Sequence, residues 1–328
     1  MSTSAAAETE LPPPLDAAPR EFITWSREQL LREQAESTPT VPLYHYTDET
    51  ALRSILKLQK FWCFSHEQQT DPQEFEYALE VARRELTEAS RSDDFFAQAL
   101  AKCLLDMLSV NKLSGPFEFY LFSVSRHRDH GPQWKAYGRD GTGFALGLSP
   151  ALFQPDKEDL YKEANKNLHI GRVVYGDGPT AERHRLAITR AAEITSKAGH
   201  AHKEAVRARG IVPFLQAMSH ELLASQLIWN CLTSKETRFE DEREVRGIII
   251  NVRAKFEPYR RSHGGRTYIE HELSLKAPGS IAEILVGPDA PPNAEARVRA
   301  ILRAEGYLDA IPVQRAHAAI VSGKEPTR

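Results

Sequence analysis

The sequence predicts a mixed α+β fold, with strands and helices segregated along the chain. Three observations predict it. Two strand-like runs, VPLYHYT (41–47) and FWCFS (61–65), enclose a single helix; a long helical stretch fills residues 179–232; and three strand-like runs cluster after residue 244. A doubly wound sheet would instead show regular alternation of strand and helix.

The elements follow in order. Residues 1–19, rich in Ala, Pro and acid, read as disordered. A short amphipathic helix comes next, with Phe22, Ile23, Leu30 and Leu31 on its apolar side. After the strand 41–47, TDETALRSIL forms a helix with Thr47 as N-cap, Asp48 and Glu49 in its first turn and a Leu52, Ile55, Leu56 stripe. TDP (70–72) breaks the chain before a helical stretch over roughly 73–110. FEFYLFSVS (117–125), aromatic and β-branched, is a strand. The loop RHRDHGPQWKAYGRDG then leads into the strand GFALGLS (143–149), and IGRVVYG (170–176) is another. Residues 179–232 form an α-hairpin broken near Gly210–Pro213, and EVRGIIIN (244–251), TYIEHELSL (267–275) and IAEILVG (281–287) are strands. PPNAEARVRAILRAEGY is a helix and AIPVQRA a last edge strand; no repeat of fixed period occurs.

Composition narrows the classes. The 328 residues are 41% hydrophobic and 27% charged, values of a globular protein with room for a sizeable core. A net charge of -3 argues against an electrostatically driven nucleic-acid binder, though not against a local basic patch. Cys63, Cys103 and Cys231 sit in apolar stretches and read as reduced thiols. The N-terminal residues lack a basic n-region and an apolar core, and no apolar run is long enough to cross a bilayer, so a cytoplasmic location is expected.

Several constellations carry chemistry. In FEDEREVRGIII (239–250), Glu242, Glu244 and Arg246 alternate, which puts them on one face at a strand mouth. Such residues serve either as a solvated strand edge or as carboxylates that hold a sugar hydroxyl and stabilise charge developing at an anomeric carbon. His45 shares a strand face with Leu43 and Thr47. It is either a hydrogen-bonded core histidine or a neutral imidazole offered to a ligand hydroxyl. In QWKAYGRDGTGF (133–144), the glycines 138, 141 and 143 lead into a strand, unlike a dinucleotide fingerprint, and mark tight turning or close backbone approach. Trp134 and Tyr137 are either core aromatics or faces on which a flat ring stacks. HRDH (127–130) places two histidines around an acid, but in a loop with no partner pair following. Arg260, Arg261 and Arg266 flank two glycines in PYRRSHGGRTY (258–268), as a solvated cluster or as a contact for pyrophosphate or a nucleic-acid backbone. HExxH, CxxC, G-x-S-x-G and P-loop signatures are absent.

LYHYT with its LxxIL helix, FxLFSVS, WKAYGRDGTGFAL, KETRFEDEREVR, YIEHELSL and IAEILVGPDA, in this order, resemble the DUF2971 family of bacterial proteins. The likeness runs from about residue 41 to about 315, and reads as one domain, 41–328, carrying the helical insertion 179–232. The same motifs are similar to the three-part site of ADP-ribosyltransferases. That resemblance implies a split antiparallel or mixed sheet flanked by helices, with NAD as substrate and no metal.

By that resemblance, His45 contacts the adenosine ribose, with Tyr46 and Thr47 beside it; the small residue usual after the histidine is Tyr46 here. Tyr137 stacks on the nicotinamide, and Trp134 and Ser123 count among the cofactor-binding residues. Glu244, in E-x-E-V, binds the nicotinamide ribose and supports an oxocarbenium-like transition state, while Glu242 faces the acceptor. Arg246 has no counterpart and either clamps a phosphate or holds Glu244 in place. The implied activity is ADP-ribose transfer to a macromolecule, protein or nucleic acid, as in a toxin or phage-defence effector restrained by an antitoxin or immunity partner. Three other readings stand beside it: an NAD glycohydrolase, a nucleotide-binding module without catalysis, and a metal-dependent nuclease using His45 with Asp71 or Glu244. The insertion's Arg183, Arg185, Arg190, Lys197, Lys203, Arg207 and Arg209, partly balanced by Glu182, Glu193 and Glu204, suggest a solvated lid or an oligomerisation arm.

Overall fold

The structure, a computed structural model, describes residues 11, 13–68, 73–108, 117–154, 168–307 and 311–318. Its elements are α1 (Pro13–Ser37), β1 (Leu43–Thr47), α2 (Glu49–Leu58), β2 (Lys60–Ser65), α3 (Gln73–Ala89), α4 (Phe95–Met107), β3 (Phe117–Ser125), α5 (Gly131–Ala136) and β4 (Phe144–Leu148). Then come β5 (Leu168–Arg172), β6 (Val174–Tyr175), α6 (Asp177–Ala201), α7 (Lys203–Arg209), α8 (Ile211–Leu222), α9 (Ile228–Leu232), β7 (Ser234–Lys235) and β8 (Glu244–Val252). The last are α10 (Arg253–Phe256), β9 (Arg261–His263), β10 (Arg266–Glu272), β11 (Ile281–Val286), α11 (Ala294–Ala304) and β12 (Val313–Arg315). The fold is mixed α+β, as the sequence predicts.

Two compact units arise from interleaved segments. The described residues within 1–33, 71–117 and 174–237 form a helical unit, and those within 34–70, 118–173 and 238–328 form a sheet unit.

In the helical unit, Leu15, Ala18 and Phe22 pack with Ala78, Leu79 and Leu86 of α3 and Leu100 and Leu104 of α4. Ala187, Ile188, Ala191 and Ile194 of α6 and Phe214, Met218 and Leu222 of α8 complete this core. The insertion is therefore not a solvated lid: its apolar face lies in this core. Its arginines also pair within the unit: Arg183 with Glu33 at 2.7 Å, Arg185 with Glu85 at 2.8 Å and Arg190 with Glu21 at 3.0 Å. The N-terminal helix differs from expectation too. It begins at Pro13, inside the stretch expected to be disordered, and buries Leu15, Ala18 and Phe22 while Ile23 and Leu31 face solvent. Proline is tolerated there because the first helical N–H groups lack partners anyway. Residues 1–10 and 12 lie outside the described residues. The stretch expected at 73–110 is two helices, since Asp94 accepts the Ala97 N–H and caps a new one; residues 109 and 110 are outside the described set.

The sheet unit holds a ten-stranded mixed sheet in the order β12-β11-β4-β1-β3-β2-β10-β9, with β8 on β3 and β5 on β8. AIPVQRA is indeed an edge: β12 lies at one end, parallel to β11. Period-two alternation in β1 sends Leu43 into the main core while Tyr44 and Tyr46 pack with Trp134, Ala145 and Leu285. The N-cap of α2 is Asp48, not Thr47, which ends β1; the Asp48 carboxylate accepts the Ala51 N–H at 2.8 Å. Such a cap is worth about 1 kcal/mol.

One detail of the register positions the site. β1 pairs with β3 only at Tyr44↔Ser125, whereas β2 pairs with β3 at Phe64↔Leu121 and Ser65↔Tyr120. Among the described ladder pairs, Phe122, Ser123 and Val124 are thus shared with neither strand, and α2 connects the two strands that part there.

Candidate functional site

His45 stands where β1 leaves β3. Its imidazole Nδ1 lies 3.1 Å from the Ser123 carbonyl, taking up a backbone acceptor that the diverging strands leave free. The ring meets the edge of Phe61 at 4.9 Å. Burial holds its pKa below the ordinary histidine value, against the Ser123 hydrogen bond, so the ring is neutral at neutral pH.

The Ser123 hydroxyl donates to Glu244, and Arg246 grips the same carboxylate at both oxygens, Nε to Oε1 at 2.8 Å and Nη2 to Oε2 at 3.1 Å. Glu244 and Arg246 are each only 5% exposed. β8 lies between β3 and β5 and is buried over Glu244–Ile249, so its charged mouth is no solvated edge. The sheet is sterically tight here: a Cβ on Gly247 would lie 2.3 Å from the Phe122 ring.

Glu242 does not share the strand face with Glu244 and Arg246. It ends the 3₁₀ turn Thr237–Glu242, and Arg243, at φ +42°, separates that turn from β8. A left-handed residue breaks the two-residue alternation on which a common face depends. The Glu242 carboxylate accepts the Tyr137 hydroxyl at 2.9 Å, and its backbone carbonyl accepts the Ser125 hydroxyl at 2.8 Å. Tyr137 is 47% exposed.

The loop expected over 126–141 contains the short helix α5, which Tyr137 caps at its C-terminus. Trp134 is wholly buried, its indole N–H donating to Asp129 at 2.7 Å and its ring meeting Tyr46 edge-on at 4.8 Å. These contacts build the loop. Tyr46 is buried as well and donates to the His127 carbonyl at 3.1 Å. Close approach accounts for Gly143, where a Cβ would sit 2.4 Å from the Thr47 carbonyl.

Sequence reading brings together His45, Ser123, Glu244, Arg246, Tyr137 and Glu242, and the structure joins them as two hydrogen-bonded groups within the sheet unit. Asp71 lies outside the described residues. Two acids have partners that the sequence does not show, one of them the Asp129 of HRDH. Asp129 anchors Trp134 and the backbone N–H groups of His317 and Ala318, and Asp241 sits against His130. His317 and Ala318 lie far from Asp129 in sequence, as His130 does from Asp241, and such pairings leave no periodic signal. The arginine cluster near 260 is divided: Arg260 pairs with Glu118 at 2.5 Å, while Arg266 lies over the Phe64 ring at 4.0 Å.

Fold and site thus define a mixed α+β protein with a parted sheet and a buried, clamped carboxylate at a strand mouth. Residues 133–247 match the family model DUF2971, described as a protein of unknown function, which supports placing the chain in the family its motifs resemble. The matched stretch holds Tyr137, Glu242, Glu244 and Arg246, and leaves His45 and Ser123 outside. No curated protein and no solved structure matches the chain. No helix among the described residues is long and apolar enough to cross a membrane.

Proposed function

We propose that the chain is an ADP-ribosyltransferase-like enzyme that cleaves NAD at the nicotinamide glycosidic bond and passes ADP-ribose to a macromolecular acceptor, protein or nucleic acid. The observation that carries this reading is the hydrogen-bonded line His45–Ser123–Glu244–Arg246 at the parting of β1 and β3. A carboxylate fixed in this way suits stabilisation of positive charge developing on the ribose anomeric carbon. His45 then meets the adenosine ribose, Tyr137 stacks on the nicotinamide, and Glu242, already hydrogen-bonded to Tyr137, faces the acceptor. The biological setting we favour is a toxin or defence effector in the cytoplasm, restrained by a partner protein.

The test is release of labelled nicotinamide from NAD by the purified chain, with and without cell lysate, beside Glu244→Gln. Wild-type release that the variant loses supports transfer; release without labelled macromolecules identifies a glycohydrolase. No release by the wild type sinks the catalytic claim.

One observation favours a second reading, a nucleotide-binding module without catalysis. Arg246 occupies both oxygens of Glu244 and neutralises its charge. Calorimetry decides: NAD or ADP-ribose binding without turnover selects this module, and no binding to either removes both readings.

A further inference from the structure

The loop after β3 and the turn before β8 bring His127, His130 and Asp241 together, with one ligand atom from each lying within 4.8 Å of the others. We propose that these residues form a binding site for a first-row divalent cation, with Zn2+ as the best-suited ion.

The chemistry of the donors supports this. Two imidazoles and one carboxylate are a ligand set for zinc and its neighbours, with the remaining positions left to water or substrate. Free donor atoms are available: His127 Nε2 and His130 Nδ1 are buried with no hydrogen-bond partner among the described residues. A buried polar atom in that state carries a desolvation cost, which a bound ion removes. His130 Nε2 lies 3.3 Å from the Asp241 carboxylate, and the His127 ring also hydrogen-bonds the Asp241 backbone. A hydrogen bond of this second kind fixes the orientation of a metal-ligating histidine.

The geometry also sets a condition. The two imidazoles are stacked, with centroids 4.1 Å apart and planes 11° from parallel. An ion in the plane of one ring would lie off the plane of the other, so one imidazole turns out of the stack on binding. The donors also close in, because zinc bonds of about 2.0–2.2 Å bring ligand atoms nearer than the separation seen. Arg243 is the opposing charge.

The site is separate from the line His45–Ser123–Glu244, and its consequence is local: a bound ion ties the β3–α5 loop to the turn that carries Glu242.

Co2+ and Zn2+ are the probes, added to the purified full-length chain. Wild type is expected to take up roughly one Co2+ per chain, with visible bands of nitrogen and oxygen coordination and no thiolate-to-cobalt charge transfer. Zn2+ is expected to displace it. The double variant His127→Gln, His130→Gln is expected to lose the bands, and Asp241→Asn to weaken binding about tenfold or more, the scale of losing a ligand or its support. The Asp241 side chain is 70% exposed, so that variant keeps its fold even if the histidine variant does not, and its far-UV spectrum checks this. No Co2+ uptake by wild type overturns the site. So do thiolate-to-cobalt bands, or uptake that Asp241→Asn leaves unchanged. NAD turnover plays no part in these measurements, so neither proposal falls with the other.

Discussion

In the helical unit, charged side chains bridge segments distant in sequence: Arg84 reaches Asp177, Arg185 reaches Glu85 and Arg190 reaches Glu21, with most of these groups open to solvent. In the sheet unit, Glu244 and Arg246 are two residues apart, with side chains only 6% exposed, and Glu244 also accepts the hydroxyl of the exposed Ser123. Exposed pairs of the first kind contribute little beside the apolar seam of the helical unit. Taking two charges out of water, as in the second, is costly, and apolar residues of similar volume often serve stability as well. β8 has such residues farther along, at Ile248 and Ile249. The fold by itself gives no reason to place charges at that mouth, which makes it the site to interrogate.

The largest effect expected from breaking this contrast is at Arg246. Arg246→Ala leaves Glu244 buried beside an absent partner and should cost about 3–5 kcal/mol in a denaturant titration, with Glu244→Gln in the same chain recovering part of it. A cost below 1 kcal/mol would mean that water reaches the carboxylate. Acid should act on both units through buried histidines. Burial foremost, then the charge of Arg183, lowers the His184 pKa to about 3, and burial lowers His169 to about 4. Both are depressed below the ordinary 6.5, so the unfolded chain takes up protons that the folded chain refuses. Stability is therefore full above pH 6.5 and falls as pH drops towards 4, by up to about 1.4 kcal/mol per pH unit for each histidine. Thermal melts across this window check the sign, and a slope unchanged in His184→Gln would remove that residue from the account.

Gly247→Ala comes next. Its methyl would meet the Phe122 ring, and overpacking of this kind costs about 1–3 kcal/mol. A neutral result in melts would show that β3 and β8 can part slightly. The smallest change is expected in the helical unit, where Arg84→Ala should shift stability by less than about 1 kcal/mol, because both partners of its pair are more than half exposed. A larger loss would undo the contrast between the units.

Much of this was legible in the residues. β1, β3, β4, β8 and β11 announce themselves through aromatic and β-branched runs, and α2 through its Leu52, Ile55, Leu56 stripe. The sequence starts the N-terminal helix too late because proline and alanine composition hides Leu15 and Ala18, which join Phe22 as one buried face only when packed with α3 and α4. Glu242 was misplaced for a different reason. Alternation assumes an unbroken strand, and the left-handed backbone at Arg243 has no signature in that residue type.

By itself, the sequence determined the class of fold, the order of the strands along the chain and the residue types available for chemistry, because these depend on periodicity and local preference. Only the tertiary structure decided that β1 and β2 part along β3, that Arg246 holds Glu244, and that Asp241 meets the histidines of the HRDH loop. The physical reason is that the parting of the strands and the meeting of Asp241 with the histidines depend on contacts between segments far apart in sequence, while the Glu244–Arg246 clamp depends on burial of β8 between β3 and β5, and neither leaves a trace in the order of the residues.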